Sequence, residues 1–154
     1  MSRLSMEAFA DRVTELFPQL ARGMARHGNN YLTKGAITLP QLWVLGYLTR
    51  QRECPMCELA DFMKMGLSSV TGMVDRLAKQ KLAERRRAET DRRVVFVDIT
   101  AKGRKVLMEI MAQRRKTTLE LFETLTAEER QVYLCILEKL VKKLSLKGSE
   151  RSSF

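Results

Sequence analysis

The sequence of 154 residues has little of what enzymes and membrane proteins require. His27 is the only histidine, no glycine-rich phosphate loop precedes a predicted helix, and no nucleophile has a neighbouring base. No apolar run approaches the roughly 18 to 20 residues needed to cross a bilayer. The N-terminus carries acidic residues and lacks the continuous apolar segment of a secretory signal. We therefore predict a cytoplasmic protein that is neither an enzyme nor embedded in a membrane.

Cysteine is also scarce, with three residues at positions 54, 57 and 135. An odd number in a reducing compartment argues against a disulfide framework. Cys54 and Cys57 form one CxxC motif, but it lacks the βαβ context of a thioredoxin-like site. A zinc site would need all three thiols and His27 to converge. We predict no metal and no cofactor; Cys54 and Cys57 are packing or capping residues or, alternatively, a thiol redox sensor.

Positive charge is abundant, because 28 Lys and Arg residues face 18 Asp and Glu residues, for a net charge of +10 and a pI of 9.9. A positive charge of this size favours binding to polyanions, which could be nucleic acid or an anionic membrane surface. The hydrophobic fraction of 45% excludes a disordered chain. The length suits a single domain with a real core.

The first predicted helix follows Ser5, a good N-cap, and Pro18 inside it should bend it. Its apolar residues recur at steps of three and four, which buries one face of a long helix. They are Met6, Phe9, Val13, Leu16, Leu20 and Met24.

The second predicted helix, in "ITLPQLWVLGYL", begins with Thr38 and Gln41 at the spacing of a capping box. It has almost no polar face, so we expect it at the centre of the fold. Trp43 and Tyr47 are either core aromatics or part of a ligand cavity.

A third helix is predicted to start at Pro55, and Gly66 to supply the tight turn after it. The fourth helix then spans Leu67 to Gln80. Its inward edge carries Val70, Met73, Val74 and Leu77, and its outward edge Ser68, Ser69, Thr71, Gly72, Asp75, Arg76 and Lys79. Helix, tight turn, helix is the helix-turn-helix layout.

Two strand-like segments follow, residues 82–87 and 93–99, with a polar turn at 88–91. Between Lys79 and Arg93 there are seven basic and three acidic residues. The predicted fold is therefore mainly α with a small β-hairpin.

Thr100 is predicted to cap a fifth helix, residues 101–125, whose polar middle "QRRKTT" suggests a solvated stretch or a crossing point. "TAEE", residues 126–129, is a second capping box that opens a sixth helix. That helix carries a wide apolar stripe: Tyr133, Ile136, Leu137, Leu140, Val141 and Leu144.

Wide stripes on the terminal helices favour a homodimer built from the first, fifth and sixth helices. The candidate dimerisation residues are Phe9, Val13, Leu16, Leu20, Tyr133, Leu137, Leu140 and Leu144. The predicted organisation is an N-terminal dimerisation helix (1–36), a central helix-turn-helix with its hairpin (37–100), C-terminal dimerisation helices (101–148) and a polar tail (149–154).

A helix with a thin polar outer edge can enter the major groove of double-stranded DNA. The adjoining arginines would straddle the backbone and reach a minor groove, where negative potential is concentrated. The candidate DNA contacts are Ser68, Ser69, Thr71, Gly72, Arg76, Lys79, Arg85, Arg86, Arg87, Arg92 and Arg93. A solvated basic hairpin without a partner is the alternative.

Residues 58–103, "ELADFMKMGLSSVTGMVDRLAKQKLAERRRAETDRRVVFVDITAKG", resemble the winged helix-turn-helix of the MarR family of transcription regulators. "VDRL", "DRR" and "ITAKG" at these separations form a specific combination, and the likeness covers residues 8–145. The resemblance implies a dimer that grips a palindromic operator, usually as a repressor released by a small molecule or an oxidant.

The resemblance also implies individual roles. Asp91 would brace an arginine at the wing tip, and Arg93 would enter the minor groove. Asp75 would pair with Lys79 or with a wing arginine, because a carboxylate facing phosphates would repel them. An effector pocket would lie between the dimerisation helices and the winged helix-turn-helix. Its candidate lining residues are His27, Trp43 and Tyr47.

Two departures from the family pattern stand out. Lys81 occupies a position that is often Gly, so the end of the fourth helix is expected to differ in shape. No cysteine lies in residues 1–30, where the peroxide-sensing branch has its reactive thiol. An architectural or non-specific nucleic-acid-binding protein is the competing function.

Overall fold

The computed structural model describes residues 4–27, 37–51, 53–87 and 94–150, with side chains except at 25–27 and 146–150. In chain order its elements are α1 (Met6–His27), α2 (Leu39–Leu48), β1 (Cys54–Pro55), α3 (Met56–Met63), α4 (Leu67–Lys79), β2 (Ala83–Arg87), β3 (Val95–Ile99), α5 (Ala101–Phe122) and α6 (Ala127–Glu150). This mainly helical fold with a small sheet confirms the predicted class. The chain divides into two compact units, residues 1–115 and 116–154.

The core of the first unit forms around α2, as its apolar sequence predicts. The Thr38 hydroxyl accepts a bond from the backbone N–H of Gln41, whose side chain accepts one from the N–H of Thr38, so the capping box is confirmed. The residues buried in this core come from α2, α3, α4, the sheet and the first half of α5: Leu42, Val44, Leu45, Leu48, Cys54, Leu59, Val70, Val74, Leu77, Val97, Ile99, Val106 and Ile110 among them. Trp43 is not a core aromatic, since 53% of it is exposed.

The sheet has three antiparallel strands in the order β1-β3-β2, one more than the predicted hairpin. Ala83 pairs with Ile99 and Arg87 with Val95 along the hairpin, and Cys54 pairs with Val97 on the other side of β3. The strand β1 could not be predicted from the sequence pattern, because it has only two residues and one of them is a proline at a sheet edge. Consequently α3 begins at Met56 rather than at Pro55.

The tight turn between α3 and α4 is made by Lys64, which corrects the role predicted for Gly66. Lys64 has a left-handed backbone with φ of 50°, and its N–H and that of Met65 close the end of α3 on the carbonyls of Asp61 and Ala60. Gly66 is the N-cap of α4 with φ of −60°, a value open to any residue. A Cβ at Gly66 would meet nothing within 4 Å.

The end of α4 keeps the shape that a glycine would give, although Lys81 occupies the position. Lys81 is left-handed, with φ of 60°. Its N–H donates to the carbonyl of Ala78, and the N–H of Leu82 donates to that of Leu77. The expectation of a differently shaped end was therefore wrong, because the chain accepts a strained lysine at a cost of about 1 kcal/mol.

The first turn of α5 is bonded to the end of α4. Thr100, confirmed as the cap of α5, accepts a bond from the N–H of Gly103 at 3.0 Å and donates its hydroxyl to the carbonyl of Lys81 at 2.7 Å. The ammonium of Lys102 donates to the carbonyl of Gln80 at 2.9 Å. A Cβ on Gly103 would lie 2.0 Å from the carbonyl oxygen of Leu82, so only glycine fits there.

The terminal helices expose their apolar stripes. Helix α1 is continuous through Pro18, and the side chains of residues 4–22 are all exposed, including Phe9 at 54%. In the second unit the capping box formed by Thr126 and Glu129 begins α6, as predicted. On the apolar stripe of α6, Leu140 is 53% exposed.

Helix α5 ends at Phe122, three residues before the predicted end at 125. Its polar middle is exposed at residues 114–116, whereas Thr117 is only 6% exposed, so of the two expectations for this stretch a purely solvated one does not hold at residue 117. Position 117 lies eleven and seven residues after Val106 and Ile110, on the same face of α5.

Candidate nucleic-acid interface

The outward edge of α4 is polar and thin, as its sequence predicts. Val70, Met73, Val74 and Leu77 are buried. On the other side Ser68, Ser69, Arg76 and Lys79 are exposed, and Thr71 and Gly72 are half-buried. The small side chains among them leave the backbone of α4 open to close approach by a partner.

Two positions on this edge have properties that the sequence does not reveal. The Thr71 hydroxyl donates to the carbonyl of Leu67 at 2.8 Å, so towards a base it can act only as an acceptor. A Cβ on Gly72 would meet nothing within 4 Å. Glycine inside a helix costs about 1 kcal/mol relative to alanine, and the described fold offers no packing reason for it.

The wing strand β2 is joined to α4 by an ion pair. The Arg85 guanidinium contacts the Asp75 carboxylate at 2.5 Å, with both side chains partly exposed. The expectation that Asp75 pairs with a wing arginine therefore agrees with the structure. Pairs of this exposure contribute at most about 1 kcal/mol each, so their main effect is to fix the orientation of the strand relative to α4.

A second pair orients the next arginine. Arg86 contacts the carboxylate of Glu53, just before β1, and its guanidinium carbon lies 5.5 Å from the centre of the Phe96 ring. The cation–π contact adds to the ion pair at the same side chain. Neither Glu53 nor Phe96 was singled out from the sequence, because they lie 33 and 10 positions from Arg86 and only strand pairing brings them close.

Arg87 differs from these two, since it is exposed and forms no ion pair with any described residue. It is the last residue of β2, opposite Val95. The predicted wing-tip residues Asp91, Arg92 and Arg93 lie outside the described residues. Their roles stay predictions.

A cavity of about 230 Å³ lies beside α2 in the first unit. Trp43 and Tyr47 both line it, together with Leu42, Gly46, Arg50, Phe62, Met111 and Arg114. The Tyr47 ring stacks on Phe62 at 4.0 Å between centres, and its hydroxyl donates to Glu58 at 2.6 Å. This hydrogen bond, followed by burial, raises the pKa of Tyr47 to about 12. The side chain of His27, the third candidate, lies outside the described side chains.

The two cysteines of the CxxC motif have different surroundings. Cys54 is fully buried in β1, and Cys57 is exposed on α3. Burial, and to a lesser extent the nearby carboxylates of Glu58 and Asp98, raise the pKa of the Cys54 thiol to about 11. A buried thiol that holds its proton is a poor nucleophile and a poor metal ligand.

The part of the chain that the structure describes contains no group of three or more His, Cys, Asp or Glu side chains placed to hold a metal ion. None of its helices combines the length and apolarity needed to cross a bilayer.

A helix-turn-helix followed by an antiparallel wing that carries basic residues defines the winged-helix class of DNA-binding proteins. Comparison with known proteins agrees. The sequence model of the MarR family matches residues 37–95. The chain is 30% identical over 144 residues to the HTH-type transcriptional regulator YsmB of Bacillus subtilis (strain 168), covering 94% of this chain and 95% of that protein.

Two other similarities span most of the chain. The HTH-type transcriptional repressor MdtR of Bacillus subtilis (strain 168) is 29% identical, over 91% of this chain and 83% of that protein. The structure of a MarR family protein from Bacillus stearothermophilus superposes with a TM-score of 0.74 at 26% identity, covering 92% of this chain and 99% of that one. The chain therefore belongs to the MarR family and is a DNA-binding HTH transcription regulator. Because this family consists of DNA-binding regulators, the prediction that the chain is not an enzyme is confirmed.

The state of Cys54 can be tested by alkylation with iodoacetamide. In native protein at pH 8 we expect Cys57 and Cys135 to be modified and Cys54 to stay unmodified, as measured by peptide mass spectrometry. A thiol pKa raised by folding stabilises the fold below the ordinary value of 9.0, and that contribution is lost as the pH rises through about 11. Denatured protein, in which all three thiols should react, is the control; equal labelling of Cys54 and Cys57 at pH 8 would contradict the assignment.

Proposed function

We propose that the chain is a dimeric repressor that binds a palindromic operator and is released from it by a small-molecule effector. The observation that carries the proposal is the polar edge of α4 beside the arginines of β2, held together by the pair of Asp75 with Arg85. Sequence readout requires such a fixed relation, because base contacts carry information only when phosphate contacts hold the register.

In this proposal α4 enters the major groove, where Ser68, Ser69 and Arg76 meet base edges and phosphates. Lys79 and Arg87 neutralise phosphates, and Gly72 allows the backbone of α4 to come close to the DNA. Arg85 and Arg86 contact DNA with guanidinium groups already oriented by Asp75 and Glu53. At the wing tip, Arg92 and Arg93 reach the minor groove with Asp91 as the brace.

Selection of bound duplexes from a random pool tests sequence-specific binding. We expect a palindromic site that is bound at least about a thousandfold more tightly than random duplex. Equal affinity for selected and scrambled duplexes would indicate an architectural protein instead.

Substitution of Arg87 tests the contribution of the wing. If each protomer contacts about four phosphates, the slope of log K against log salt is near −7, and Arg87→Ala in both protomers should make it shallower by about 2. Arg12→Ala on α1 is the control, because it removes one exposed arginine per protomer that lies outside the proposed DNA-contacting surface. It should leave the slope unchanged. An unchanged slope in Arg87→Ala would remove β2 from the contact surface.

The exposed stripes of α1 and α6 support the dimer. Seven large apolar residues on α6 and six on α1 are exposed in a single chain, and each would contribute up to roughly 1.5 to 3 kcal/mol on full burial. Exposed apolar faces of this extent mark protein interfaces. We infer that the apolar stripes of two protomers pack against one another. This packing sets the two winged helix-turn-helix units at the spacing of two operator half-sites.

Leu140→Asp tests this interface. A carboxylate in the buried stripe should dissociate the dimer and abolish operator binding by linkage, as measured by sedimentation velocity and fluorescence anisotropy. Lys139→Asp, next to it on α6 but outside the stripe, makes a larger change of charge and should leave the dimer intact. A dimeric Leu140→Asp protein would place the interface elsewhere.

The cavity beside α2 supports an effector. Its wall combines the aromatic side chains of Trp43, Tyr47 and Phe62 with the guanidinium groups of Arg50 and Arg114, which suits a small aromatic anion. It also contains residues of α5, whose first turn is bonded to the end of α4. A molecule that moves α5 would therefore move α4. His27 remains a candidate for the same lining.

Trp43 is the only tryptophan, so its fluorescence reports on the cavity. We expect 2-naphthoate, a small aromatic anion, to quench this fluorescence and to weaken binding of the selected operator over the same concentration range. Gly46→Leu should fill the cavity without a clash, since a Cβ at Gly46 meets nothing within 4 Å, and should abolish both responses while operator binding persists. Quenching without loss of operator affinity would uncouple the cavity from DNA.

The repressor role is supported by the similarity to MdtR, which is a transcriptional repressor. A cytoplasmic location follows from the proposed partner, because the relatives are bacterial and their DNA lies in the cytoplasm. Thiol sensing has less support, since Cys54 is buried with a raised thiol pKa.

A further inference from the structure

The start of α4 and the turn before it carry exposed apolar side chains. Leu67, the first residue of α4, is 53% exposed, and Met65 in the preceding turn is 42% exposed. Leu67 lies three and seven residues before the buried Val70 and Val74, so it stands at the border between the buried edge of α4 and its outward edge. More than half of its side chain is nevertheless left uncovered by the described fold.

The flank of α4 next to Leu67 is apolar as well. Thr71 lies one turn further along, and its hydroxyl is bonded to the carbonyl of Leu67. The N-cap Gly66 adds no side chain that would cover Leu67. Exposed Leu67 and half-buried Thr71 therefore follow one another along the end of α4 that enters the groove first in a helix-turn-helix.

We propose that Leu67 is a specificity-determining residue that packs on the 5-methyl group of a thymine in each operator half-site. This inference rests on the proposed operator binding and adds the base that the start of α4 reads. Thymine is the only base that presents a methyl group in the major groove, and apolar side chains recognise it by contact. Removal of one buried methyl group costs about 0.8 kcal/mol, or roughly fourfold in affinity.

The occupant of this surface is DNA because Leu67 opens the same helix that carries the basic interface. Leu67 is followed on the same helix by Arg76 and Lys79, and β2 with its three arginines is joined to α4 through Asp75. A second protein with an apolar patch would have to bury these cations. The chain's net charge of +10 favours a polyanion over a second copy at this face.

The experiment uses the duplex that the wild-type protein selects from a random pool. Deoxyuridine differs from thymidine only in lacking the 5-methyl group, so each thymine of one half-site is replaced in turn and affinity is measured by fluorescence anisotropy. We expect one replacement to weaken wild-type binding about fourfold and the others to have little effect. For Leu67→Ala the same replacement should have no effect, because the contacting side chain is already gone.

Leu39→Ala is the matched control, since Leu39 is also the first residue of its helix and 42% exposed. It should keep the fourfold sensitivity to deoxyuridine. Specific binding by the wild type with no sensitive thymine, or equal sensitivity in Leu67→Ala, would overturn the inference while the proposed function stands. Failure to select any preferred duplex would remove the proposed function and this inference with it.

Discussion

The turn that follows α4 is held by hydrogen bonds from the start of α5. The last carbonyls of α4 itself accept from the backbone N–H groups of residues 80–82, and the carbonyls of those three residues are left for donors from α5. Here Lys102, the Thr100 hydroxyl and the Thr100 N–H donate to the carbonyls of residues 80, 81 and 82. Gly103 permits this approach, because any Cβ would collide with the carbonyl of residue 82. The wing lies between the two ends in sequence, so these bonds close it into a fixed loop.

The wing arginines gain their orientation from the same closure. Strand pairing places β2 against β3, and the two carboxylates of Asp75 and Glu53 then meet Arg85 and Arg86 from different elements. Each pair is partly exposed and contributes little to stability. Their effect is on geometry, since a guanidinium held in place loses less conformational freedom when it meets a phosphate. Arg87, without such a pair among the described residues, keeps its full freedom until it binds.

Much of this arrangement follows from local sequence patterns. The capping boxes at Thr38 and Thr126, the buried edge of α4 and the hairpin strands are set by side chains a few positions apart, so pattern and structure agree. The left-handed turn at Lys64 and the strand β1 were not predictable, because glycine is the residue preferred in a left-handed turn and a two-residue strand has no period. Likewise the partners of Arg86 depend on pairing across 33 positions, which no local pattern records.

Helix α5 both lines the cavity and bonds to the turn after α4. Met111 and Arg114 of α5 line the cavity with Trp43 and Tyr47, and Thr100 and Lys102 at its start hold the end of α4. A packed helix moves as a rigid element, because its backbone hydrogen bonds resist local deformation. A change in the cavity wall can therefore reach α4 through a shift of α5, and also through α2 and α3, which line the cavity and pack against α4. Since each hydrogen bond from the start of α5 is worth about 1 kcal/mol, a modest difference in affinity for the two arrangements would be enough to move the recognition surface.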